Sequence, residues 1–197
     1  RQESKSEEVR SIARKFDIEY FDGDRLTGYG GYNYNPRFWT DTVRYMVEYY
    51  ELSNSSKILD VGCAKGYMMY DLSLLIPGAE IKGLDISNYA KENSLVEMKE
   101  SITVGNANNL PFEDNYFDLV IAINTLHNLP LVDCKEAFRE ISRVTKDHSF
   151  VMNDAWNTEE GKESMLKWNL TALTYMSCED WKKLFSDVDY TGDYYWF

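Results

Sequence analysis

Small and polar residues follow four apolar segments of the chain, and their types could bind a nucleoside. Asp60 opens a loop of small residues and glycines, which lets backbone N–H groups approach a ligand closely. Asp85 follows about 25 residues later, where a carboxylate can accept hydrogen bonds from ribose hydroxyls. Asn106 and Asn124 come after the next two segments and offer amide groups.

Each of these features has an ordinary interpretation when it is taken alone. A glycine-rich turn is often only a tight turn, and an aspartate such as Asp85 is often a helix cap or a solvated residue. His127 by itself is more often a packed or exposed histidine than a catalyst. Their order and spacing together predict one ligand site.

From residue 57 onward, strand patterns alternate with helix patterns, which would carry all four polar positions to one edge of a sheet. Strands are predicted at about 57–61, 80–84, 101–105, 117–123 and 148–153, and helices at about 66–76, 88–99, 132–145, 158–174 and 178–185. Residues 190–197 are β-prone. The alternation predicts an α/β fold: a doubly wound, Rossmann-like, mostly parallel sheet of six or seven strands with helices on both faces.

The N-terminal part combines aromatic residues with Gly, Asn and Pro, which is unusual for a loop. After a weakly helical stretch at 1–15, residues 20–39 are predicted to form a mobile lid over the ligand; the alternative is an aromatic seal on the core. The lid candidates are Tyr29, Tyr32, Tyr34, Arg37 and Trp39. A helix is predicted from Phe38 to Leu52, with buried positions at Phe38, Val43, Met46, Val47 and Tyr50.

Length and composition indicate one globular domain over 1–197: a lid and helix at 1–52, a binding core at 53–155, and substrate-side helices with an edge strand at 156–197. A net charge of −12 and no basic stripe argue against nucleic acid as a partner. No apolar run reaches the roughly 18–20 residues of a membrane span. The odd cysteine count argues against a disulfide framework and favours the cytoplasm. Because the chain begins with Arg1, we expect the natural start to be missing.

Residues 57–155 resemble the core of class I S-adenosylmethionine-dependent methyltransferases, in particular the methyltransferase type 11-like branch that acts on small molecules. Four segments carry the resemblance: Ile58-Leu59-Asp60-Val61-Gly62-Cys63-Ala64-Lys65-Gly66, Gly83-Leu84-Asp85-Ile86-Ser87, Gly105-Asn106-Ala107-Asn108-Asn109-Leu110-Pro111-Phe112, and Phe117-Asp118-Leu119-Val120. The resemblance implies the cofactor S-adenosyl-L-methionine, with S-adenosyl-L-homocysteine as the product.

The resemblance also implies roles for individual positions. The loop backbone would pack against the methionyl part of the cofactor, Asp60 would orient that loop, and Asp85 would bind the ribose. The full set of expected cofactor residues is Asp60, Gly62, Cys63, Ala64, Gly66, Asp85, Ile86, Ser87, Asn106, Ala107, Asn124 and Thr125.

Three departures from the family pattern are visible. Ala64 replaces a glycine, which we expect to be tolerated at a negative φ. Asn106 replaces the commoner aspartate, and its amide oxygen can still accept a hydrogen bond from adenine. Six strands can be counted, and we expect any seventh strand beyond Phe197.

The predicted reaction is in-line methyl transfer to an oxygen or nitrogen of a small molecule. His127 is the candidate base, although it could instead line the site or cap a helix. Arg37 could bind the methionyl carboxylate. Asp154 and Trp156 are expected to face the substrate. No metal site, membrane or nucleic acid is predicted, and the oligomeric state is left open. The alternatives are an NAD-dependent oxidoreductase, a non-catalytic binding module for the cofactor, and an aminopropyl transferase.

Overall fold

A computed structural model describes residues 5–197. Six strands form one sheet: β1 (Lys57–Val61), β2 (Glu80–Asp85), β3 (Ile102–Val104), β4 (Phe117–Ile123), β5 (Thr145–Asn153) and β6 (Asp193–Trp196). Their order is β3-β2-β1-β4-β5-β6, and every neighbouring pair is parallel. The predicted Rossmann-like α/β fold is therefore confirmed.

The helices are α1 (Glu7–Ala13), α2 (Ile18–Phe21), α3 (Thr40–Tyr49), α4 (Tyr67–Leu75), α5 (Asn88–Glu92), α6 (Leu131–Val144), α7 (Glu159–Trp168) and α8 (Cys178–Asp187). Short 3₁₀ turns lie at Pro36–Phe38, Lys99–Ser101 and Leu126–Asn128. No helix within residues 5–197 is long and apolar enough to span a membrane.

Strand side chains alternate between two hydrophobic cores, one on each face of the sheet. In β4, Leu119 and Ile121 join the core beneath α3 and α4, whereas Val120 and Ala122 join the core beneath α6 and α8. Because successive residues of a strand point to opposite faces, a run of apolar residues indicates a strand that is covered on both sides. The core of this protein is thus two layers, separated by the sheet.

Three predicted helix boundaries were wrong, and side chains that bond to the backbone explain two of them. The helix predicted at 88–99 ends at Glu92, where Asn93 donates to the Tyr89 carbonyl and Ser94 to the Lys91 carbonyl. The helix predicted at 158–174 ends at Trp168, and the Asn169 side chain accepts from the next backbone N–H groups.

The third wrong boundary is the start of the helix predicted from Phe38. A 3₁₀ turn at Pro36–Phe38 precedes α3, which begins at Thr40, so Phe38 is 59% exposed instead of buried. Val43, Met46 and Tyr50 are buried as predicted. The fifth strand also begins earlier than predicted, because Thr145 already pairs with Phe117.

Candidate active site

The loop between β1 and α4 exposes bare backbone at the carboxyl edge of the sheet. Gly62 has φ +84°, and a Cβ at this position would lie 2.0 Å from the Thr125 hydroxyl oxygen. Gly66 has φ +75° and is the N-cap residue of α4. Only glycine both adopts this positive φ without strain and lacks the Cβ for which there is no space at position 62.

The expectation of a negative φ at Ala64 was wrong, because Ala64 has φ +49°. This left-handed conformation disfavours alanine by about 1 kcal/mol. It points the Ala64 N–H at the Asp85 carboxylate, 2.7 Å away. A hydrogen bond to an ionisable carboxyl group offsets a strain of this size.

Asp85 connects the loop with the start of α5. Its second oxygen accepts the Ser87 N–H at 2.8 Å, and the side chain is buried. A carboxylate oxygen has two lone pairs, so each oxygen of Asp85 retains acceptor capacity for a ligand. Burial raises the pKa of Asp85, against the lowering effect of these two hydrogen bonds.

Asp60 lies beside this loop as a second buried carboxyl group. Among residues 5–197, no hydrogen bond to its side chain is formed, and burial together with the Asp85 charge raises the pKa of Asp60 to about 8. An unpaired buried acid is strongly stabilised by a cationic ligand. The position thus favours a ligand that carries a positive charge.

A cavity of about 380 Å³, the glycine-loop cavity, lies at this edge. Ten of the twelve expected cofactor residues line it: Asp60, Gly62, Cys63, Ala64, Asp85, Ile86, Asn106, Ala107, Asn124 and Thr125. The structure thus brings together the ends of β1, β2, β3 and β4. Their roles in cofactor binding stay predictions.

Gly66 and Ser87 lie outside the lining of this cavity. A Cβ on Gly66 would meet Met98, on the core side of the loop. The Ser87 hydroxyl caps α5 by accepting the Ala90 N–H, and it donates to the Phe16 carbonyl. Both residues therefore fix the conformation of the loops but do not line the cavity.

The segment 16–39, which we call the lid segment, includes the predicted lid at 20–39 and crosses the carboxyl edge of the sheet. Tyr29, Tyr32 and Trp39 line the glycine-loop cavity, and the rings of Tyr29 and Tyr32 lie 4.4 Å apart. Tyr34 and Arg37 do not line it. The Tyr34 hydroxyl bonds to the Asp71 carboxylate, and the exposed Arg37 guanidinium lies 4.7 Å from the Phe38 ring.

A buried ion pair attaches the lid segment to the glycine loop, and sequence reasoning missed it. The Lys65 ammonium donates to both Asp22 oxygens, at 2.7 and 2.9 Å, and to the Tyr32 carbonyl at 3.0 Å. Asp22 also accepts from the Tyr32 N–H and the Tyr89 hydroxyl. The only sequence signal was a lysine inside a loop of small residues.

Helix α1 and Arg14, which precede the lid segment, are attached to α7 and to the segment that follows it. Arg10 donates to the Leu166 carbonyl, and Arg14 donates to the Ala172 carbonyl at 3.3 Å. Arg14 and Lys15 line the glycine-loop cavity, although neither was predicted to. The lid is thus held at both sides of the site.

The structure does not support His127 as a base, because its side chain is 3% exposed and lines neither cavity of the site. Nδ1 accepts the Asp154 N–H at 3.3 Å, which places the ring proton on Nε2, 3.4 Å from the Asp154 carboxylate. Burial lowers the pKa of His127 to about 4. The imidazole acts as a neutral link between the ends of β4 and β5.

Asp154 and Trp156, which were predicted to face the substrate, line neither of the two cavities at this edge. The buried Asp154 carboxyl accepts a hydrogen bond from the Asn169 amide. Burial raises the pKa of Asp154 to about 6, against the lowering effect of this hydrogen bond. The Trp156 backbone pairs with Ser177, and the Trp156 ring lies near Lys162. The residues directly after β5 are therefore used in contacts with the segment around α7 and α8.

A second and larger cavity, the aromatic cavity, adjoins the first. Its volume is about 870 Å³, and it lies between α3, the lid segment and the carboxyl ends of β4, β5 and β6. Tyr29, Tyr32, Trp39, Ile123 and Asn124 line both cavities. A ligand in one cavity therefore borders directly on a ligand in the other.

The sheet order and this edge define a Rossmann-like α/β protein with a nucleoside-type site at its strand ends. A family described as a methyltransferase domain matches residues 59–152. A demethylmenaquinone methyltransferase from Bacillus cytotoxicus is 31% identical over 156 residues, which cover 74% of this chain and 60% of the relative. A tRNA (carboxymethyluridine(34)-5-O)-methyltransferase from Arabidopsis thaliana is 32% identical over 132 residues, 66% of this chain and 31% of that protein.

The crystal structure of the YcgJ protein from Bacillus subtilis shares the fold, with a TM-score of 0.59 at 23% identity over 75% of this chain and 67% of that one. Residues 59–152 thus match a methyltransferase domain, which confirms the predicted resemblance to class I S-adenosylmethionine-dependent methyltransferases. S-adenosylmethionine is the cofactor of this family of enzymes, and S-adenosylhomocysteine is its product. The chain spans about three fifths of the length of the first relative and about a third of the second.

Proposed function

We propose that the protein transfers the methyl group of S-adenosylmethionine to an oxygen or nitrogen of a small molecule bound in the aromatic cavity. The observation that carries this proposal is the continuity of the two cavities. The glycine-loop cavity gathers ten expected cofactor residues, and the aromatic cavity opens directly onto it at Ile123 and Asn124.

The described residues fit the cofactor. Gly62 leaves bare backbone where a Cβ has no room. Asp85 retains lone pairs for ribose hydroxyls, and the unpaired Asp60 carboxyl suits the ammonium group of the methionyl part. Asn106 stands at the edge of the same cavity with an amide for adenine.

When bound, S-adenosylmethionine would supply an electrophilic methyl carbon. An acceptor lone pair would take this methyl group while the sulfur keeps the electron pair of the broken bond, and the acceptor proton would leave to bulk solvent with the product. The chain has to align the acceptor and exclude water, and the lid segment covers the site for this purpose. A covalent protein intermediate is unnecessary. The Cys63 thiol lines the cavity, but burial raises the pKa of this thiol and keeps it neutral.

The two named relatives act on very different acceptors, a menaquinone precursor and a tRNA. We favour a small molecule because the net charge of −12 repels a phosphate backbone. Among the described residues that line the aromatic cavity, Arg25 and Asp193 are the charged ones. Nucleic acid binding would need a basic surface near the site.

Calorimetry with S-adenosylhomocysteine and with NAD tests the cofactor half of this proposal. We expect S-adenosylhomocysteine to bind with a Kd below about 100 μM, which is ordinary for such a site, and NAD not to bind. Asp85→Ala should abolish binding, whereas Asp41→Asn, on the exposed side of α3, should not change it. Binding of NAD without S-adenosylhomocysteine would refute the proposal.

A further inference from the structure

The aromatic cavity has a composition that restricts the acceptor. Twelve of its 22 described lining residues are aromatic, and its volume of about 870 Å³ is more than twice that of the glycine-loop cavity. Cavities of about 300–1,000 Å³ hold drug-sized ligands and bury most of their surface. A small amine would fill only a fraction of this volume.

Both charged groups of the described lining are already engaged by the protein. The Arg25 guanidinium donates to the Tyr29 carbonyl at 2.6 Å. The Asp193 carboxylate accepts the Tyr50 hydroxyl at 3.0 Å. The lining thus carries one positive and one negative group and no net charge, so it attracts neither an anion nor a cation strongly.

The mouth of the cavity exposes aromatic side chains that neither hydrophobic core uses. Six of them, between 42% and 70% exposed, surround it: Phe38, Tyr45, Tyr49, Tyr194, Tyr195 and Phe197. The rings of Tyr45 and Tyr49 are stacked, with centroids 5.7 Å apart. Exposed aromatic residues concentrated around one opening mark a binding site for an apolar ligand.

We infer that the acceptor is an uncharged, planar aromatic or fused-ring molecule. It lies between the aromatic face of α3 and the end of β6, with its nucleophilic edge toward Ile123 and Asn124, where the two cavities meet. Flat rings stack on tyrosine and phenylalanine faces without requiring charge. This inference rests on the proposed methyl transfer and names the substrate class of the same site.

Saturation-transfer NMR and calorimetry on the whole chain test the inference, with and without S-adenosylhomocysteine. The probes are 1-naphthol as an uncharged fused ring, sarcosine as a small amine, and uridine 5′-monophosphate as an anion. We expect saturable binding of 1-naphthol and no binding of the other two probes.

Two variants on the cavity wall and one matched control locate the binding. Thr42 lies on α3 in the cavity lining, so Thr42→Trp should fill the cavity and abolish 1-naphthol binding. The double variant Phe38→Ala/Tyr49→Ala removes two exposed rings and should weaken binding about tenfold. Glu48→Trp, an exposed position of α3 outside both cavities, should leave it unchanged.

The possible results separate this inference from the proposed function. If S-adenosylhomocysteine binds but sarcosine or uridine monophosphate binds in place of 1-naphthol, the inferred substrate class is wrong and methyl transfer stands. If 1-naphthol binding is insensitive to Thr42→Trp, its site lies elsewhere and the inference is also overturned. If S-adenosylhomocysteine does not bind, the proposed function fails, and the inference fails with it.

Discussion

Removing the charge of Asp22 should open the lid more readily than removing the charge of Lys65, although the two side chains form one ion pair. The reason is unequal burial: the Lys65 side chain is 5% exposed and the Asp22 side chain 28%. An unpaired charge is costly in proportion to how far water is kept from it.

The two single variants therefore leave different groups unpaired. In Asp22→Asn, a buried ammonium retains only the Tyr32 carbonyl and a neutral amide oxygen. Breaking a buried pair costs about 3–5 kcal/mol, and the retained hydrogen bond offsets about 1 kcal/mol, so we expect a loss of about 2–4 kcal/mol. In Lys65→Met, Asp22 keeps the Tyr32 N–H and the Tyr89 hydroxyl and can be hydrated, so we expect about 1 kcal/mol.

Hydrogen exchange of a peptide covering residues 20–34 measures the lid directly. Its amides include Tyr29 and Gly31, which donate to carbonyls of α2. A loss of about 2 kcal/mol raises the rate of exchange through lid opening roughly 30-fold. The double variant Asp22→Asn/Lys65→Met should exchange like Lys65→Met alone, because the unpaired ammonium is gone.

The exposed pair Asp41–Arg44 provides the control, since the Asp41 side chain is 94% exposed. Asp41→Asn should change protection of the lid by less than about 0.5 kcal/mol. If Lys65→Met opens the lid as much as Asp22→Asn, or if the double variant shows no rescue, burial does not set the strength of this pair.

Three further predictions concern the loops around the glycine-loop cavity. Gly62→Ala should abolish S-adenosylhomocysteine binding in calorimetry and lower the free energy of unfolding by more than about 2 kcal/mol. The reason is that the new Cβ would lie 2.0 Å from the Thr125 hydroxyl oxygen. Gly31→Ala is the control, because φ is also positive there but space is open, and an equally small effect of both substitutions would contradict this prediction. The pKa of Asp60 in the folded protein is about 8, so the folded state binds one proton more than the unfolded state near neutral pH. The free energy of unfolding should therefore fall as pH rises from 6.5 to 8, by up to about 1.4 kcal/mol per pH unit. In urea unfolding, the free energy of unfolding of Asp60→Asn should depend less on pH, and an unchanged pH dependence would exclude Asp60 as the cause. Asn169→Ala should lower the free energy of unfolding by about 2–3 kcal/mol in the same urea assay, because it leaves the buried Asp154 carboxyl without its amide donor. A decrease of less than about 0.5 kcal/mol would show that this hydrogen bond is dispensable.

The order of strands and helices was predictable because its determinants are local. Apolar runs such as 117–123 are buried on both faces, and polar residues at their ends mark where each strand leaves the core. Since parallel strands end at the same edge, the positions of Asp60, Asp85, Asn106 and Asn124 followed from the alternation itself.

The wrong predictions have two kinds of cause. The helix ends at Glu92 and Trp168 depend on local bonds between side chains and backbone. The predictions for His127 and Ala64 failed because of contacts between distant segments. His127 and Asp154 have residue types suited to catalysis, yet the loop after α7 folds beneath them and supplies Asn169 as a partner. The φ of Ala64 depends on a hydrogen bond to Asp85, which comes from another strand. Neither contact leaves a periodic pattern in the sequence.

The sequence by itself determined the Rossmann-like sheet and the edge at which its polar strand ends gather, because the hydrophobic period and the residues at strand ends depend only on near neighbours along the chain. The tertiary structure decided how the lid segment is attached and which residues line the aromatic cavity. Lys65 and Asp22 are 43 residues apart, and the aromatic cavity joins residues of α3 with residues of β6. Such groups meet only after the sheet has brought their segments together, so their chemistry belongs to the fold.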